Sequence, residues 1–418
     1  MATLALPTPT FRPSNPVTLQ DAGLNQNLLI DLMLKLTLLD GETTLSHLGA
    51  QMKVSMTIMD QLFRYFRREQ LCEVKGMAGN DYHLALSAAG RKMAQDRYTI
   101  NQYVGPAPVK LNDYCQAVKE QTARPPITRG LLSEVFFDLV LPDSALDQIG
   151  PAVLSGTTMF LYGPTGNGKT SIAERLIRIF KDYVYIPYAI EVEGQIVNIY
   201  DSVVHQPVES DEEDVDPRWI LCHRPCIAVG GELVPEMLEL RFDETLGFYS
   251  APLQMKANNG LFIIDDFGRQ MINPRDLLNR WIVPLDRRVD FLSLRTGVKF
   301  PIPFETLVIF STNLDPRQLA DEAFLRRIQN KIKVDAISPE TFDSILERVC
   351  QGNELEFDPD MAAYLREKCN PDGKSVLRAC YPRDIVKILQ SIAEYENRPP
   401  EFNKRDVDRA LSLYFAKT

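Results

Sequence analysis

Residues Thr158 to Phe180 read TMFLYGPTGNGKTSIAERLIRIF, and this stretch decides the fold class. Its centre, Gly163–Thr170 (GPTGNGKT), fits G-x-x-x-x-G-K-[ST]. In that loop glycines let the backbone fold round a di- or triphosphate with its N–H groups pointing inward. Lys169 is spaced to reach the outer phosphates as a point charge, and Thr170 to put its hydroxyl on Mg²⁺. The cradle comprises Gly163, Pro164, Thr165, Gly166, Asn167, Gly168, Lys169, Thr170 and Ser171. On one side, Thr158–Tyr162 is an apolar run suited to a buried parallel strand. On the other, Ser171–Phe180 is apolar at helical spacing. Strand, glycine loop and helix N-terminus make up the geometry that phosphate binding uses.

A chain of 418 residues is too long for one core, so two or three domains are expected. Apolar residues are 45% and charged residues 24%, an ordinary soluble globular composition. No stretch approaches the roughly 20 apolar residues of a membrane helix. The start, MATLALPTPTFRPSNP, has no basic segment followed by a long apolar run, so no signal peptide is expected. Seven scattered cysteines fit reduced thiols and a cytoplasmic location. The net charge of −10 is uneven: residues 1–125 carry +2 and the remainder −12. The body is therefore no general polyanion binder, and any nucleic-acid contact needs a local basic face in the N-terminal part.

Residues 1–21 carry prolines and little periodicity, and read as a flexible arm. Gln26–Leu39, Thr44–Met52 and Ser55–Arg68 have helical patterns, with Thr43 or Thr44 as a cap for the second. Leu71–Lys75 and Tyr82–Leu86 alternate like two strands across a turn at Gly76–Asn80, and Ser87–Ala94 reads as a further helix. Residues 22–98 thus resemble a winged helix-turn-helix domain. Residues 99–129, with prolines around a helical stretch at Leu111–Gln121, read as a linker. The nucleotide-binding core is expected over 130–336. Within it, 190–250 reads as strand-like pieces, including Trp219–Val229, around an acidic run at Glu209–Asp216. Residues 337–418 read as mostly helical, broken at Pro371–Gly373.

Downstream, Leu261–Ile264 is an apolar strand ending in Asp265 and Asp266. A buried parallel strand delivers such carboxylates to the phosphate side of the sheet. Asp265 would hold Mg²⁺, directly or through water. Asp266 would accept a proton from the attacking water or orient it. Leu307–Thr312 is a second such strand, and Asn313 after it would bond the γ-phosphate or the attacking water, or simply form a turn. Arg326 and Arg327 sit on an amphipathic helix, either solvated or as an arginine finger for a neighbouring subunit. In Tyr381-Pro-Arg383-Asp384, proline opens a helix and places Arg383 near its N-terminus, facing the nucleotide.

Taken in order, these pieces resemble the AAA+ ATPases over roughly residues 130–400. The resemblance implies Walker A at Gly163–Thr170, Walker B at Asp265 and Asp266, sensor 1 at Asn313, a finger at Arg326 or Arg327, and sensor 2 at Arg383. It implies an α/β fold: a P-loop AAA+ parallel-sheet core with a C-terminal helical lid behind the winged-helix-like domain. Leu285–Phe300 is similar to the hairpin that precedes sensor 1 in the Mg-chelatase, MoxR-type and enhancer-binding groups. ATP and Mg²⁺ as cofactors, and a ring of six subunits whose hydrolysis moves pore loops, are likewise implied. One position departs from the family: its usual Glu at the second Walker B acid is Asp266 here, one methylene shorter. Either the backbone compensates or hydrolysis is slow.

Two functions follow as expectations. In the first, ATP hydrolysis at subunit interfaces remodels a protein or nucleic-acid target recruited through residues 22–98, with no membrane insertion. In the second, ATP orders an oligomer that binds DNA or protein with little turnover. The basic group Arg64, Arg67 and Arg68 would touch phosphate or be a solvated helix end. Cys222, His223, Cys226 and His205 lack the spacing of a zinc site.

Overall fold

The computed structural model describes residues 9–415, apart from 80, 123–124, 210–213, 320–321 and 371–375. The expected break at Pro371–Gly373, half of the acidic run (210–213) and the first eight residues of the arm lie outside the described residues.

Five strands form a parallel sheet: β1 (Met159–Tyr162), β2 (Cys226–Val229), β3 (Leu261–Ile264), β4 (Leu307–Thr312) and β5 (Asn330–Lys333). Their spatial order is β2-β3-β4-β1-β5, and every neighbouring pair is parallel. Strands β1 and β3 are unbroken apolar runs, and β4 is one as far as Phe310, because both faces of the sheet are covered. Phe160, Phe262, Ile264 and Phe310 pack to one side, around the fully buried Trp281. Leu161, Ile263 and Ile309 pack to the other, against Ile172 and Leu176 of the segment after the glycine loop. Registers pair Phe310 with both Phe160 and Ile264, so the strand ends line up. Gly163, Asp265, Asn313 and Val334 consequently leave the sheet at one edge.

The N-terminal unit follows the sequence pattern closely. Helices span Gln26–Asp40, Leu45–Met52, Met56–Arg68 and Ala88–Ile100, capped by the side chains of Asn25, Thr44, Ser55 and Ser87. The hairpin joins Cys72–Ala78 to Asp81–Leu86, and Glu42–Thr44 adds a third antiparallel strand. Three residues are too few to show a period, so that strand had no signature in the sequence.

Two expected loose segments are packed. The helix inside the expected linker, Leu111–Glu120, buries Tyr114, Ala117 and Val118 in a core shared with Val184, Ile190, Val197 and Tyr249. Just before it, Val109–Lys110 pairs with Ile190–Glu191. In the expected flexible arm, Phe11 lies on Trp219 at 5.7 Å and the Pro13 carbonyl accepts from the Asp216 N–H at 3.1 Å. Prolines hide such an arm from periodicity, and its partners lie about two hundred residues away in sequence.

That second core lies under a mixed sheet of five short strands, Val109–Lys110, Ala189–Val192, Gln195–Asn198, Arg241–Asp243 and Phe248–Ser250. The expected strand over Trp219–Val229 is two strands in different sheets. Trp219–His223 pairs antiparallel with Tyr183–Pro187, whereas Cys226–Val229 is β2. Pro225 separates them, since proline has no N–H for a ladder. The hairpin before β4 pairs Val289–Ser293 with Lys299–Pro303. Its expected start at Leu285 is instead the end of a helix, Ile282–Arg287. Leu292, Leu294, Phe300 and Ile302 sink into the second core.

The described residues beyond β5 form four helices, Pro339–Gly352, Pro359–Cys369, Cys380–Tyr395 and Lys404–Tyr414, round Phe342, Leu346, Leu365, Ile385 and Leu389. No described helix is long and apolar enough to cross a membrane.

Candidate functional site

The glycine loop leaves β1 under the chain that leaves β5. A Cβ on Gly163 would lie 2.3 Å from the Val334 carbonyl oxygen, and the φ of +138° there also suits glycine alone. Gly166 and Gly168 take φ of +82° and +83°, after which the helix Lys169–Arg175 begins. Ser171 lies in its first turn, and Thr165 is exposed on the loop.

Lys169 is buried, and its ammonium donates to the carbonyls of Gly163 and Pro164, each at 2.9 Å. It also donates to Asn313 Oδ1 at 2.7 Å. Burial holds its pKa below the usual lysine range, against the pull of the Asp265 and Asp266 carboxylates. Asn313 uses its other end to donate from Nδ2 to Asp266 Oδ1 at 3.1 Å. Thr170 Oγ1 donates to Asp265 Oδ2 at 2.8 Å. Side chains from the ends of β3 and β4 and from the loop after β1 thus form two short polar chains across one sheet edge.

The turn after β3 is fixed from behind. Phe267 N–H donates to the Ser311 carbonyl at 2.7 Å, and Thr312 Oγ1 returns a bond to the Phe267 carbonyl at 2.7 Å. Gln270 Nε2 holds the Asp265 carbonyl at 2.8 Å. Gln270 had no signature in the sequence, because its role depends on a turn that only the fold specifies.

Arg326 and Arg327 stand apart from these residues. They precede β5 and line a cavity of about 480 Å³ with Thr157, Thr158 and Arg288, at the edge where the strands begin. Arg327 donates to Asp286 at 2.8 Å, while Arg326, 76% exposed, pairs with Glu322 at 2.9 Å.

Arg383 departs from expectation. It lies in the first turn of Cys380–Tyr395, yet its side chain is 77% exposed and faces Asp384 at 3.9 Å, not the loop. The residues that do meet the loop lie at the very start of that helix and just before it. Cys380 N–H donates to the Gly166 carbonyl at 2.9 Å, and Ala379 N–H to Asn167 Oδ1 at 3.2 Å. The Arg378 stem lies against Gly166, 3.4 Å from where a Cβ would be.

Elsewhere, His205 is buried, with Nδ1 accepting from the Asp201 N–H at 3.0 Å. Cys222 and Cys226 sit on strands of different sheets. No cluster of metal-ligating side chains occurs among the described residues. Arg67 and Arg68 lie over the rings of Phe63 and Tyr65.

A domain of unknown function, DUF8689, matches residues 338–413, the C-terminal helical unit. No curated protein matches the chain. A crystal structure of NtrX from Brucella abortus is similar over 69% of this chain and 60% of that one, at 14% identity and a TM-score of 0.41. The chain therefore spans less than two thirds of that protein, and a likeness of this size carries no argument about fold or activity.

Proposed function

We propose that the chain is an AAA+ ATPase: a parallel-sheet core that binds and hydrolyses ATP, with residues 337–418 as its lid. The observation that carries this reading is the convergence of Lys169, Thr170, Asp265, Asp266 and Asn313 at the edge where the strands end. That edge is where open parallel sheets bind their ligands.

The residues present fit the groups the reading needs. Thr170 Oγ1 and Asp265 Oδ2 are adjacent hard oxygen donors of the kind Mg²⁺ takes. Asn167 is buried and its Nδ2 has no partner among the described residues, which suits an anionic acceptor nearby. When bound, Mg²⁺ would neutralise phosphate charge that develops during transfer. Lys169 would bind the outer phosphates. Asp266 would take the proton of the attacking water, with Asn313 fixing its carboxylate and reaching the same water. Arg326 or Arg327 would act on a neighbouring copy in an oligomeric ring, since both lie at the far edge of their own sheet. The winged-helix-like unit, 22–98, would recruit the target, a protein or duplex DNA.

Steady-state phosphate release tests the reading. Lys169→Ala should lose both nucleotide binding and turnover. A second reading, a nucleotide-switched binding module, is favoured by the short acid at 266. It predicts ATP binding with at most one turnover in the wild-type chain. An intact chain that binds neither ATP nor ADP would remove both readings.

A further inference from the structure

The lid meets the glycine loop at Arg378–Cys380, and the cation there is Arg378. Two consecutive backbone donors, Ala379 and Cys380, are bonded to Asn167 Oδ1 and to the Gly166 carbonyl. These bonds pin the residue before them. A Cβ added to Gly166 would meet Cys380 Sγ at 2.7 Å, Arg378 Cδ at 3.4 Å and Arg378 Cβ at 3.6 Å. The stem of Arg378 therefore runs in contact with the middle of the loop. Its guanidinium lies 5.8 Å from the Tyr381 ring centroid, and Tyr381 is buried in the lid core. Among the described residues no carboxylate pairs with it. Beside it, Asn167 Nδ2 is a second donor without an acceptor among the described residues, on a side chain only 4% exposed. Two donors of this kind at one loop match a ligand that brings acceptor oxygens and negative charge.

Arg383 has none of these features. Its side chain points to solvent, and the carboxylate of the next residue faces its charge.

On the reading of the chain as an ATPase, we propose that Arg378, not Arg383, is the lid residue that binds the nucleotide's phosphates, together with Asn167. Gly166 lies in the middle of the loop, where backbone N–H groups hold the inner phosphates, while Lys169 reaches the outer ones. Arg378 is accordingly a contact shared by ATP and ADP, not a sensor of the γ-phosphate.

The test is equilibrium binding of Mg·ATP and Mg·ADP to the full-length chain and to Arg378→Ala, Arg378→Lys and Arg383→Ala. Thermal melting without nucleotide checks that each variant folds. Arg378→Ala should weaken ATP and ADP alike, by about 10- to 100-fold, the size expected of a charged hydrogen bond. Arg378→Lys should recover part of the loss, and Arg383→Ala should stay within threefold. The assignment is overturned if Arg383→Ala causes the loss, if Arg378→Ala binds like wild type, or if only ATP is affected. A folded wild-type chain that binds neither nucleotide overturns the ATPase reading itself. Wild-type binding with an unaffected Arg378→Ala overturns this assignment alone.

Discussion

Asp266 sits where the backbone allows few side chains. Its φ is +48°, in the left-handed region that Asp enters more readily than most residues. In that conformation its carboxylate accepts from Asn313 at 3.1 Å, and its carbonyl lies 3.3 Å from Gln270 Nε2. The shorter acid is thus matched to this turn, which Asn313 and Gln270 hold in place. Asp266→Asn should keep ATP affinity within a few-fold while phosphate release falls by about 10²- to 10⁴-fold, the usual worth of a general base. Asp266→Glu should lower stability by up to about 1 kcal/mol, seen as an earlier urea midpoint, without faster turnover. A glutamate variant that is both as stable and faster would refute the backbone argument. The glycine string, the paired acids and Asn313 were legible in the sequence because each follows a strand that opens as an apolar run. Arg378 was not: what identifies it is a contact across 212 positions, between Ala379 and Asn167, that no local pattern encodes.

Whole elements were legible where one face is apolar at a fixed period, as in the helices of residues 26–100 and beyond 338. What the period could not show is which element a buried face meets. The Leu111–Glu120 helix carried its amphipathic pattern openly, yet its place in the second core depends on strands that come later in the chain. Two joints between elements give tests. The first is the turn that closes Arg241–Asp243 onto Phe248–Ser250. Gly247 there has φ of +72°, and a Cβ on it would lie 2.2 Å from the Ile100 carbonyl oxygen. Asn101 Nδ2 bonds the Gly247 carbonyl at 3.0 Å, so this turn ties the N-terminal unit to the mixed sheet. Gly247→Ala should cost about 1–3 kcal/mol by urea denaturation and raise protease sensitivity near residue 101. The second joint is Lys35, buried in Gln26–Asp40, which donates to the Asn101 carbonyl at 3.0 Å. Burial lowers its pKa to about 8, despite Asp31 close by, itself paired with Arg97 at 3.2 Å. Below pH 8 the folded and unfolded chains both hold the proton, and the penalty for burying the charge is constant. Above it the folded chain releases the proton while the unfolded chain keeps it up to about pH 10.4, so stability from this group rises with pH. Wild type should therefore gain stability relative to Lys35→Met between pH 7.5 and 9.5, measured as the difference in urea midpoints. A constant difference would mean that Lys35 titrates outside this window.

At the scale of the molecule, the decisive fact is that the cations and the loop occupy opposite edges of one sheet. From Thr158 to Gly163 the chain climbs the full length of β1, roughly 16 Å at the usual strand rise. Arg326 and Arg327 line the cavity beside Thr158, while Lys169 and Asp266 lie beyond Gly163. An arginine side chain is shorter than that span, so neither lies over its own loop. If an arginine completes the site, it comes from another copy, arranged head to tail so that one sheet edge meets the next. Particle mass should then rise on adding ATP. Arg326 is the more exposed of the pair and Arg327 is engaged with Asp286, so Arg326→Ala should lower turnover more, by about a thousandfold or more if it acts as a finger. Mixing separates this from a simple loss of fold. Lys169→Ala removes the loop's charge but keeps the arginines, and Arg326→Ala does the reverse. Each variant alone should be inactive, and a mixture should regain phosphate release at interfaces that pair an intact loop with an intact arginine. An equimolar mixture that stays as inactive as its parts, although the two variants co-assemble by mass, would exclude catalysis shared between copies.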